Sequence, residues 1–191
     1  MKVTIQWKPR VIPPPEFAAP RKPELNYPFD PIPKTALLGL SFDAPPGGVR
    51  QFAAGWSPEL ARFAPEALAA PARTIQWLIR AVDDGRVSIP PLSSSVIAFV
   101  GEPYGRLTPS DRELIDKLWG VPIFEQLRSP SGDLLAAECP AHRGLHICNS
   151  LMNLSDALLH FESIDRSPCL CGSSVPRLVG IDQPRTMAAA S

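Results

Sequence analysis

All four cysteines of this chain (Cys139, Cys148, Cys169, Cys171) and all three histidines (His142, His146, His160) fall between Glu138 and Gly172 of 191 residues. A chain that gathers its soft ligands into one short window is most simply read as building one metal site there, and a tetrahedral zinc needs about four such ligands. Cys139 and the Cys169-Leu170-Cys171 pair supply three thiolates, and one histidine completes a Cys3His set. His146 is the first choice, because Arg143-Gly144 can turn its strand back over the cysteines. His142 follows at C-x2-H spacing from Cys139, which suits a tight knuckle, and Cys148 competes because it shares a strand face with His146. His160, among Leu158, Leu159 and Phe161, reads as a core-edge histidine. Pro168 and Gly172 flank the C-x-C pair as a sharp loop close to an ion requires.

With every position filled by protein, no place is left for a bound water, so the expected ion is structural rather than hydrolytic. A nucleophilic reading, Cys139 beside His142, lacks an identifiable orienting acid in the sequence. An iron–sulfur cluster would want four cysteines at wider separation. Glu102, Glu125 and Glu138 lie on separate segments without a visible partner, and read as surface carboxylates.

Proline sets the second constraint. Eleven of the 24 prolines precede Gly47, a density that neither a helix nor a central strand tolerates. Residues 1–50 are therefore expected to be an extended, polyproline-like arm. Apolar residues (Val11, Ile12, Phe17, Leu25, Tyr27, Phe29, Ile32, then Ala36 to Leu40) are interleaved with the prolines, and the segment reads as a disordered tail, as an arm lying along its own domain, or as an arm that wraps a partner subunit.

Residues 51–180 carry the patterns of a folded domain. Ser57-Pro58-Glu59 starts a helix, with a serine cap, proline in the first turn and an acid beside it; Leu60, Phe63, Ala64 and Leu68 continue at helical spacing. A second helix spans Ala72 to Asp84, with Ile75, Leu78, Ile79 and Val82 on one face and Gly85 as its stop. Ser94 to Gly101 reads as a buried strand. Thr108-Pro109-Ser110-Asp111 opens a third helix that Gly120 ends. Val121 to Phe124 and Leu134 to Ala137 read as strands, separated by a turn at Ser129 to Asp133. Trp56, Trp77, Trp119 and Phe124 are assigned to the core. Helices feeding short apolar strands predict an α/β or α+β fold, with helices packed on a small mixed sheet. Residues 181–191 carry no motif and read as a flexible tail.

The runs Gly101-Glu102-Pro103, Leu107-Thr108-Pro109-Ser110-Asp111-Arg112-Glu113 and Gly120-Val121-Pro122-Ile123 resemble the phenylacetate-CoA ligase branch of the adenylate-forming (AMP-binding) aryl-CoA ligases. The resemblance extends through Glu138-Cys139, Gly144-Leu145-His146-Ile147 and Pro168 to Gly172, ending at Pro176-Arg177-Leu178. It implies a structural zinc, since members with this cysteine pattern hold one. It also exposes departures. The family's Ser/Thr/Gly-rich phosphate loop, which cradles nucleotide phosphates on backbone N–H groups, has no counterpart ahead of this region. In the stretch that would hold ATP and magnesium, Leu127 stands at the family's tyrosine, Arg128 at its glycine and Ser131 at its acid. The family's C-terminal lysine is also missing, the last lysine here being Lys117.

The sequence reading is thus a zinc-stapled, non-catalytic relative of these ligases. It would act as an accessory subunit that binds a protein partner in a hetero-complex, with residues 1–50 as the wrapping segment. The alternative is a fragment or subunit of an acid–CoA ligase that needs a partner for ATP binding and catalysis. Equal numbers of basic and acidic residues, 19 each, give no basic surface for nucleic acid. No run is apolar enough to span a bilayer, and no export signal is visible, so the expectations are no membrane partner and a cytoplasmic location.

Overall fold

The computed structural model describes residues 25–28, 30–40, 47–52, 56–148, 161 and 163–180; structural statements below concern these. Nine strands form one mixed sheet: β1 (Thr35–Leu38), β2 (Val49–Phe52), β3 (Ala67–Pro71), β4 (Ser95–Val100), β5 (Ile123–Arg128), β6 (Leu134–Glu138), β7 (Leu145–Ile147), β8 (Ser163–Asp165) and β9 (Arg177–Val179). Their spatial order is β2-β1-β3-β4-β5-β6-β7-β9-β8. The first five run parallel, and from β5 onward every pairing is antiparallel. The α/β class expected from the sequence is the observed one, although the sheet is larger than anticipated.

Three helices accompany it: α1 (Pro58–Phe63), α2 (Ala72–Asp83) and α3 (Pro109–Trp119). The Ser57 hydroxyl accepts from Leu60 N at 3.4 Å at the head of α1. At α3 the Thr108 hydroxyl accepts from Asp111 N at 3.2 Å while the Asp111 carboxylate accepts from Thr108 N at 2.8 Å. This reciprocal pair fixes where α3 begins, and Gly120, at φ 62°, fixes where it ends. Ile75, Leu78 and Ile79 of α2 and Ile115 of α3 are fully buried against Val96, Ala98, Val100 and Leu127, each burial contributing about 2 kcal/mol. On the opposite face of the sheet Leu37, Ala69, Ile97, Phe99 and Tyr104 form a second core, covered by Leu25 and Tyr27. The Gln126 amide donates to the Asn26 carbonyl there.

Three expectations are corrected. Residues 35–38 lie within the stretch read as extended arm, yet they form a fully buried strand between β2 and β3; the run Thr35-Ala36-Leu37-Leu38 contains no proline, so its full set of ladder groups is available. Leu68, read at helical spacing, belongs to β3, which is buried on both faces. An Ala-Leu-Ala-Ala run has no alternation to distinguish it from a helix, and tertiary pairing decides. Trp77 is 48% exposed on the outer side of α2 rather than in the core. His160, residues 1–24 and the tail 181–191 lie outside the described residues.

Candidate metal centre and the adjoining cavity

Three segments bring the soft ligands together. Cys139 follows β6, His146 is the middle residue of β7, and Cys169 and Cys171 belong to the loop before β9. One ligand atom from each of these four residues lies within 4.8 Å of all the others, a group able to hold a metal ion. Cys139 Sγ and Cys169 Sγ are 3.7 Å apart, and Cys171 Sγ is 3.5 Å from His146 Nε2. A tetrahedral zinc with sulfur at about 2.3 Å and nitrogen at about 2.0–2.1 Å puts neighbouring sulfurs about 3.8 Å apart and sulfur–nitrogen neighbours about 3.5 Å apart. Donor set and spacing therefore both fit such an ion. His146 Nδ1 is buried without a hydrogen-bond partner.

The backbone prepares this geometry. Cys169 N donates to Ser173 O and Gly172 N to Cys169 O, both at 2.9 Å, closing the C-x-C loop tightly around Gly172 at φ 87°. Gly144 sits at φ 103°, where a Cβ would stand 2.5 Å from the Leu178 carbonyl oxygen. Only glycine lets β7 approach β9 this closely. Buried Arg177 donates to the Arg143 carbonyl at 3.1 Å and to Asp165 at 2.5 Å, with Ser167 also in reach; it ties β8 and the approach to Cys169 onto β9.

The crowded sulfurs titrate in opposite directions. Burial raises the Cys169 thiol, but donors from the Cys171 amide and the side chains of Cys171, His146 and Cys139 outweigh it and bring it down to about 6. Cys139 is pushed up to about 11, by burial first and then by the neighbouring sulfurs. The donors gathered around Cys169 favour charge on its sulfur, as a metal ligand requires.

His142 and Cys148, the sequence's competitors for the site, stand outside the group. His142 Nδ1 lies 3.0 Å from Glu138 Oε1, and its ring stacks on Phe124 with centroids 4.9 Å apart. The Cys148 thiol lies 3.5 Å from the His146 carbonyl oxygen, and burial raises its pKa. Two of the three carboxylates read as isolated surface groups prove to be neighbours: Glu138 Oε2 accepts from Glu125 N at 2.9 Å, and Glu125 pairs with Arg112 at 2.5 Å. Burial pushes the Glu125 carboxyl up, with Arg112 opposing and Glu138 adding to the shift. Sequence spacing could not disclose this cluster, because it depends on the register between β5 and β6 and on the side of α3 that faces them. Together with His142, these groups line a cavity of about 810 Å³ beside α3.

At the far end of β5, Arg128 is buried with its guanidinium 4.7 Å above the Phe99 ring. It donates to the Gly132 carbonyl at 2.8 Å and to Gln126 Oε1 at 2.9 Å. Burial lowers its pKa to about 10. Ser129, Ser131 and Asp133 hydrogen-bond among themselves in the β5–β6 turn.

No protein-family model and no curated protein matches this chain. Among solved structures it is similar to an open conformation of 2-hydroxyisobutyryl-CoA ligase in complex with 2-HIB-AMP and CoA, with a TM-score of 0.50 and 12% identity. That match covers 76% of this chain and 43% of the ligase, so the chain spans under half of the ligase's length. At this identity the likeness is one of fold: the chain has an acyl-CoA ligase-like α/β architecture, joined to a Cys3His cluster able to hold a metal.

Proposed function

We propose that this chain is a zinc-holding, non-catalytic domain derived from adenylate-forming ligases of the phenylacetate-CoA ligase type, acting as an accessory subunit on a protein partner. Residues 51–180 would be the domain and residues 1–50 the arm that engages the partner. The observation that carries the reading is the pairing of a Cys3His group at zinc spacing with a ligase-like fold whose β5 ends in a buried arginine. Where the resembling family places a glycine beside bound nucleotide, Arg128 sits between Phe99 and Gly132. Its side chain takes the space that a glycine leaves open, and Leu127 and Ser131 offer neither a stacking ring nor an acid for magnesium. The zinc would act as a staple, its binding free energy contributing to folding.

The test measures zinc content, ATP binding and oligomeric state on the protein isolated from its native source. The expected result is one zinc per chain, no saturable ATP binding, and a stable hetero-complex. A metal-free folded chain overturns the zinc assignment, and a monomer without partner at any salt overturns the accessory role.

The second reading is a subunit of an acid–CoA ligase whose other half is supplied in trans. It is favoured by the fold shared with an acyl-CoA ligase. Acid-dependent ATP–pyrophosphate exchange in the isolated complex would establish it in place of the first.

A further inference from the structure

The cavity beside α3 is independent of the metal cluster and of the accessory role. Its walls are largely apolar: Leu107, Val121, Ile123, Leu145, Phe161 and Leu178. At about 810 Å³ it is within the size range of small-molecule sites, which are apolar with a few converging polar groups. Four of the polar groups on its wall are engaged with one another. Arg112 binds Glu125 at 2.5 Å, and Glu138 binds His142 at 3.0 Å. Arg106 stacks over the Phe161 ring at 4.8 Å, and Asp116 is exposed at the rim. A wall of paired charges offers little to a strongly ionic ligand, whose own desolvation would go uncompensated.

Among the described residues, His142 offers one polar atom on this wall to a guest. His142 Nδ1 is committed to Glu138, whose side chain is only 3% exposed, and the ring is fixed against Phe124. Its Nε2 has no hydrogen-bond partner among the described residues. The backbone there is in the left-handed region, at φ 48°, which costs about 1–3 kcal/mol for an ordinary residue. The imidazole, held by Glu138 and Phe124, lines the cavity. A hydroxyl can donate to a neutral Nε2 and accept from a protonated one, so it suits this atom in either state, whereas a carboxylate suits only one.

We propose that this cavity is a binding site for a small, uncharged, hydroxyl-bearing apolar molecule, its body against Ile123, Leu145, Phe161 and Leu178 and its hydroxyl on His142 Nε2.

Phenol is the probe. The full metal-loaded chain, labelled at its Ile and Leu methyl groups, is titrated with phenol, benzoate and benzylamine and followed by NMR. Saturable shifts at the Ile123, Leu145 and Leu178 methyls are expected with phenol, with benzoate and benzylamine at least tenfold weaker. His142→Asn keeps a residue type that tolerates left-handed backbone and removes the imidazole; with the wild-type metal content and amide spectrum, it should weaken phenol at least tenfold. Ile123→Phe, which fills the cavity from its wall, is a second variant and should also abolish the shifts. Non-saturable shifts, equal affinity in His142→Asn, or equal binding of the charged probes would each overturn the proposal. A cavity protected in the native complex by a protein partner, with no phenol binding to the free chain, would overturn it too.

Discussion

His146 Nε2 and Cys171 Sγ stand 3.5 Å apart, although the two residues are 25 positions apart in the chain. Leu170, between the two cysteines, is 78% exposed and does not anchor their loop. Holding a thiol, an imidazole and two further sulfurs in such proximity without an ion leaves polar groups crowded. A divalent cation removes that conflict.

Replacement of Cys169 by serine is therefore expected to release the metal and destabilise the domain. Zinc at sites of this kind carries on the order of 10 kcal/mol of binding free energy at neutral pH. Thermal unfolding with and without a chelator checks this: the chelator should lower the wild-type midpoint and leave the Cys169→Ser midpoint unmoved.

The two histidines should separate cleanly. His146→Ala is expected to lose the metal, while His142→Asn retains full stoichiometry, since His142 is held by Glu138 at 3.0 Å and lies outside the cluster. Elemental analysis of the two purified variants decides it.

Gly144→Ala tests the close approach of β7 to β9. Its Cβ would meet the Leu178 carbonyl oxygen at 2.5 Å from a backbone at φ 103°. Strain of this kind costs about 1–3 kcal/mol before the clash is added, so a loss of about 3 kcal/mol in denaturant unfolding is expected, with weakened metal retention.

Arg128→Ala is expected to cost about 3 kcal/mol, because it leaves a void against Phe99 and strips Gln126 Oε1 and the Gly132 carbonyl of a donor each. Equilibrium denaturation measures it.

Acid sensitivity is expected at the start of α3. Burial raises the Asp111 pKa, but hydrogen bonds from Thr108 and Gln76 and the charge of Arg80 outweigh it, leaving the carboxyl below its ordinary value. A depressed folded value means that the ionised form stabilises the fold. The contribution is complete above the unfolded value of about 3.9 and is lost as pH falls through the lower folded value. Asp111→Asn should be less stable than wild type near neutrality by about 1 kcal/mol, with the gap closing under acid. Urea midpoints measured from pH 6 to pH 2.5 test the convergence.

The legible and illegible parts of the chain divide along physical lines. Ser57, Thr108, Gly85 and Gly120 marked helix boundaries correctly because caps act locally, through side chains and φ angles within one turn. The soft-ligand window was legible because few residue types can do that chemistry. What escaped were β1, hidden among prolines, and β3, whose alanines favour helix until two flanking strands claim them. The Glu125–Glu138–His142 grouping escaped as well, since it exists only through strand register and the placement of α3.

The register between β7 and β9 has only two paired positions, Leu145 with Leu178 and His146 with Arg177. The antiparallel end of the sheet therefore hangs on a short joint beside which the Cys3His group is assembled. Segments joined so narrowly open on their own, with a free energy well below that of global unfolding. A metal held by Cys139, His146, Cys169 and Cys171 would tie Leu145–Ile147 to the loop before Arg177–Val179 and oppose such opening, whereas Val96–Phe99 lies in the parallel half of the sheet away from that joint. If such an ion is lost, limited proteolysis is expected to begin on the β7–β9 side of the sheet.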